Sequence, residues 1–179
     1  MPDPWEKSKK QSSGKPAERS RSKQHNPTFY LDENFDCPEV RNVLHKAGIR
    51  YRIYRQDVRA NAGSEDIDLF PNVGKHGWLL ITADWRQRIR PREAQDLKRY
   101  GVKHFALPGN LGAVQMAQLL VSSKNNIRAC AREHVGHVSA NVLRNGAVNV
   151  IRDARGNLYE REETKVYYKG KVKITVPIE

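Results

Sequence analysis

The chain has 179 residues, 38% hydrophobic and 29% charged, with a formal net charge of +12. That length fits one domain with tails, and the charge points to a polyanionic partner, most often nucleic acid. No apolar run nears the roughly 18–20 residues that span a bilayer, and the N-terminus lacks a secretory apolar core.

Cys37 and Cys130, the two cysteines, lie far apart in the chain. They exclude a disulfide framework and a purely thiolate zinc site, and they fit a reducing cytoplasm.

Residues 1–27 are rich in Ser, Lys, Gln and Pro, with seven Lys or Arg against three acids. This composition predicts a disordered basic arm, either a plain solvated extension or a nucleic-acid tether. From Thr28 a regular alternation begins. Thr28 to Asp32 is a strand, and Asp36 can cap a helix that has Pro38 in its first turn and ends at Gly48. Tyr51 to Tyr54 reads as a second, half-exposed strand. Ser64 can cap a short acidic helix reaching toward Gly74, which Pro71 truncates or kinks. Gly77 to Thr82 is the third strand, Pro91 to Tyr100 a helix closed by Gly101, and Lys103 to Leu107 the fourth strand. A helix follows from Ala113 to Ser122, and Asn126 to His134 can continue it. Ala147 to Val176 alternates apolar and polar residues, with turn signals at Asp153–Gly156 and Lys169–Gly170, as in a β-hairpin or small meander. The β-α order implies an α/β fold with a mostly parallel sheet and right-handed crossovers. The expected division is an arm at 1–27, a main domain at 28–125 and a helical and β extension at 126–179.

Two strings carry the chemistry. FYLDEN and GWLLITAD are apolar, β-prone runs that stop on a carboxylate, Asp32 and Asp84. Buried strands of parallel sheets look like this, and chemistry in such sheets sits beyond their carboxyl ends. Eight of the twenty acids lie between Thr28 and Phe70, including Glu65, Asp66 and Asp68 in the string SEDID. Carboxylates gathered at one edge repel unless a cation joins them, and an all-oxygen set suits Mg²⁺ or Mn²⁺ rather than zinc. The ordinary alternative is that an Asp after a strand caps the next turn, and that acids in a first helical turn answer the helix dipole. His134 and His137, three apart without thiols or acids nearby, read as surface or turn residues.

The succession FYLDEN, SEDIDLFPNVGKHGWLLITAD and RIRPREAQDLKRYGVKHFALPGN resembles the PIN-like ribonucleases, in particular the VapC-type toxin branch, from about Thr28 to Ser122. The resemblance implies a three-layer fold with a mostly parallel four- or five-stranded sheet and acids at its carboxyl edge. Those acids bind Mg²⁺ or Mn²⁺ for hydrolysis of RNA phosphodiester bonds. The strand-one acid matches Asp32, and the Thr-x-Asp element matches Thr82 and Asp84. The middle acid matches Asp66 or Asp68, with Glu65 as third choice. Many PIN chains carry a further acid soon after Thr-x-Asp, where this chain has Trp85, Arg86, Gln87 and Arg88.

In an extended loop Arg86, Arg88, Arg90 and Arg92 share one face, which suits a phosphate backbone, and Trp85 can stack on an unpaired base. The expected function is a cytoplasmic Mg²⁺- or Mn²⁺-dependent endoribonuclease, the toxin of a toxin–antitoxin pair. Its expected partners are RNA, an antitoxin protein and a second copy of the chain. The alternative is a catalytically silent PIN-like module that binds nucleic acid or protein, and DNA is a further candidate substrate.

Overall fold

A computed structural model describes residues 26–54, 69–152, 165–168 and 171–174. The arm and the SEDID string lie outside the described residues. The elements in order are β1 (Phe29–Leu31), α1 (Pro38–Lys46), β2 (Tyr51–Ile53), α2 (Leu69–His76), β3 (Leu79–Thr82), α3 (Pro91–Arg99) and β4 (Lys103–Ala106). Then come α4 (Ala113–Glu133), β5 (Val138–Val142), β6 (Val148–Arg152), β7 (Lys165–Tyr168) and β8 (Lys171–Ile174). Short 3-10 turns follow β1 at Glu33–Phe35 and β3 at Trp85–Arg88.

The eight strands among the described residues form one sheet in the order β2-β1-β3-β4-β5-β6-β7-β8. The first five strands in that order pair in parallel, and β6 to β8 continue as an antiparallel meander. Strand residues alternate between two apolar layers, as the period of two requires. Phe29, Leu31, Leu79, Ile81 and Phe105 pack beneath α1 and α4. Tyr30 and Leu80 face the other way, against Phe70 and Val73 of α2 and Leu97 of α3. The result is a three-layer α/β fold with a C-terminal antiparallel element, as expected. Each fully buried Leu, Ile or Phe contributes roughly 1.5–3 kcal/mol, so these two layers dominate stability.

Two local expectations are corrected, and one strand is added. Asp36 does not cap α1: the cap position is Cys37, while the Asp36 carboxylate pairs with Arg41 one turn into the helix. Val138–Val142, to which the sequence assigns no element, is the fifth parallel strand. His137 is buried rather than at the surface, its Nδ1 2.6 Å from the Val102 carbonyl and its Nε2 3.2 Å from Ser139 Oγ. The helix from Ala113 runs unbroken to Glu133, so position 125/126 lies inside α4. Among the described residues no helix is long and apolar enough to cross a membrane.

Candidate active site

The strand order reverses direction between β1 and β3, and in open α/β sheets ligands bind beyond the carboxyl ends at such a switch point. Asp32 and Asp84 are placed there. β1 and β3 run parallel and in register, Leu31 beside Ile81, so both chains leave the sheet at the same edge. Thr82, fully buried at the last position of β3, joins them. Its hydroxyl donates to Asp32 Oδ2 at 3.1 Å and accepts the Asp84 backbone N–H at 2.9 Å.

Each aspartate also caps the turn that follows it. Asp32 Oδ1 accepts the Glu33 N–H at 2.7 Å, and Asp84 Oδ1 accepts the Arg86 N–H at 2.9 Å. The ordinary role and the functional one therefore coexist. A carboxylate has about four lone-pair sites, so capping leaves acceptor capacity on both groups.

A pocket of about 420 Å³ opens above this edge, and Asp32, Glu33, Thr82, Asp84, Gln87 and Glu93 help line it. Glu93 was missed by sequence reasoning. It stands in the first turn of α3, which follows the 3-10 turn Trp85–Arg88, and it lines the pocket together with Leu80 and Thr82 of β3. The signal was an acid two residues after Pro91 at a helix start, readable only once the intervening turn is known. One of its carboxylate oxygens, Oε2, is buried without a hydrogen-bond partner, as is Gln87 Oε1. An orphaned buried oxygen of this kind fits a position that faces a cation.

Arg90 already supplies part of that positive charge. Its guanidinium lies 3.1 Å from Asp84 Oδ2 and 3.0 Å from Glu93 Oε1. The bond to Glu93, and then the Asp84 charge, raise its pKa further. Both pairs are partly exposed, so each contributes little to stability.

The expected extended arginine loop is instead a 3-10 turn followed by α3. Arg86 and Arg90 line a neighbouring pocket of about 850 Å³ together with Asp84, while Arg92 is exposed on the first turn of α3 and lines neither pocket. Trp85 and Arg88 are described by their backbone alone. Asp66, Asp68 and Glu65 fall outside the described residues. Among the described residues no three His, Cys, Asp or Glu side chains come close enough together to hold a metal ion by themselves. The pocket nevertheless offers carboxylate and hydroxyl oxygens, with no thiol or imidazole in its lining. In kind this donor set fits a hard divalent cation.

Residues 27–109 match the family model described as PIN like domain. They span β1 to the turn after β4, and so include Asp32, Thr82, Asp84 and Glu93. No curated protein and no solved structure gives a significant match.

Proposed function

We propose that the chain is a metal-dependent endoribonuclease built on the PIN-like domain of residues 27–109. The observation that carries this reading is the hydrogen-bonded sequence Asp32–Thr82–Asp84 at the β1/β3 switch point, opening into one acidic pocket. Asp32 and Asp84 would hold Mg²⁺ or Mn²⁺, with Glu93 lining the same pocket and Asp66 or Asp68 as the further ligand. When bound, the cation supplies Lewis-acid charge against the scissile phosphate. Thr82 fixes the Asp32 carboxylate in one orientation and ties it to the Asp84 backbone. Arg86 and Arg90 meet the phosphate backbone from the adjoining pocket.

The test is cleavage of single-stranded RNA with Mn²⁺ by the parent chain, Asp32→Asn and Asp84→Asn. Each substitution keeps the shape and removes a charge, so the expected loss in rate is about 100-fold or more. Equal cleavage by all three proteins would sink the mechanism. As the toxin of a pair, the chain would arrest growth when expressed alone, and Asp84→Asn would not.

One observation favours a second reading, a silent module that binds without cutting. Arg90 already neutralises Asp84 and Glu93, so the pocket has a resident cation of its own. A silent module gives no carboxylate-dependent heat on titration with Mn²⁺ and binds RNA equally in chelator.

A further inference from the structure

Three pockets follow the strand order along the carboxyl edge of the sheet. The acidic pocket lies at the ends of β1 and β3, and the 850 Å³ pocket follows at β3 and β4. A third, of about 400 Å³, lies beyond β4 and β5 and is lined by Gly109, Asn141, Leu143 and Arg144. Neighbours share walls: Asp84 and Arg90 belong to the first two, and Gly109 to the last two. The Gly109 turn sits so close to β3 that a Cβ there would come within 3.1 Å of the Ala83 carbonyl oxygen. Glycine therefore permits this close approach of the turn, which both the second and the third pocket share, to the end of β3.

Charge changes sign along this edge. The first pocket carries Asp32, Glu33, Asp84 and Glu93 against Arg90 alone, the second has Arg86 and Arg90 against Asp84, and the third has Arg144 and no carboxylate in its lining. Leu143, an exposed apolar side chain, stands beside Arg144. A row of cations with an apolar surface beside it suits a ligand that repeats phosphate and base.

We propose that this edge is the track of one nucleic-acid strand, which leaves the acidic pocket, passes Arg86 and Arg90, and is held by Arg144 beyond β5. From β1 to β5 the track crosses three interstrand steps, roughly 14 Å at the usual strand spacing. Arg144 lies outside the matched residues 27–109, on the turn that links the parallel sheet to the meander. The proposal rests on reading the acidic pocket as the reaction centre, so it is tested where no cleavage occurs.

Fluorescence anisotropy in chelator follows binding of labelled single-stranded dodecamers, RNA and DNA of one sequence. Arg144→Glu weakens binding about tenfold or more and lowers the salt slope by about one. Arg144→Gln gives a smaller loss in the same direction, which guards against a misfolded turn. Lys75→Glu makes the same charge change at the exposed end of α2, beside the amino end of β3. It shifts affinity by no more than about twofold, because screened charges act locally. Equal weakening by Arg144→Glu and Lys75→Glu, or none by Arg144→Glu, overturns the track. The same Arg144 dependence with both strands assigns the contact to the shared phosphate backbone, and dependence with RNA alone assigns it to the ribose side. A parent chain that binds in this way but never cleaves with Mn²⁺ overturns the nuclease reading and leaves the track standing.

Discussion

Thr82 holds two functional groups with one oxygen, donating to Asp32 and accepting from the Asp84 backbone. Thr82→Val keeps the β-branched shape and removes both bonds, leaving a carboxylate oxygen and an N–H short of a partner at a part-buried place. Urea unfolding should show a loss of about 1–3 kcal/mol, and cleavage should fall by more than that loss explains, since Asp32 is freed to rotate. Arg90 acts in the opposite sense. Its guanidinium competes with any cation for Asp84 and Glu93, so Arg90→Met should tighten Mn²⁺ binding severalfold in calorimetry even if it weakens RNA binding. Unchanged Mn²⁺ affinity would show that the ion pair with Asp84 is not in the way. The shared edge of Asp32 and Asp84 was legible because each ends an apolar run. Glu93 was not, because only the 3-10 turn after Asp84 decides where α3 begins.

Helix ends were the easiest elements to read. Pro38 and Pro91 open α1 and α3, and Gly48 and Gly101 adopt φ of 62° and 64° just past the ends of those helices. Val138–Val142 (VSANV) alternates apolar and polar residues over only five positions, a pattern too short to separate it from a loop after α4, although the strand is buried on both faces. Its identity is set by pairing with β4 and β6. Element packing makes its own demand at Gly74 of α2. A Cβ there would stand 2.0 Å from the Tyr100 carbonyl oxygen. In an open helix Gly→Ala gains about 1 kcal/mol, so the sign of the change tests this contact. Gly74→Ala should destabilise by at least about 2 kcal/mol in urea unfolding, because backbone cannot move aside as a side-chain tip can.

At the scale of the molecule, α4 decides whether the parallel sheet and the meander behave as one unit. It packs against α1 at one side of the matched region and against β5, β6 and β7 beyond it. Asn126 reinforces this, donating from Nδ2 to the Gly146 carbonyl in the turn between β5 and β6 at 2.7 Å. Cys130 of the same helix is fully buried, and burial pushes its thiol up to about 12. Since the thiolate is the nucleophile, Cys130 cannot react until α4 leaves the sheet. Cys37, half-buried at the cap of α1, needs no such opening. Iodoacetamide should therefore modify Cys37 first. The Cys130 rate should rise with urea along the slope of global unfolding, as expected when only full opening exposes a group. A Cys130 rate that ignores urea would mean that α4 and the meander open by themselves. The turn carrying Arg144 would then belong to a separately mobile part, and the track proposed along the sheet edge would lose the rigid support that sets its spacing from Asp84.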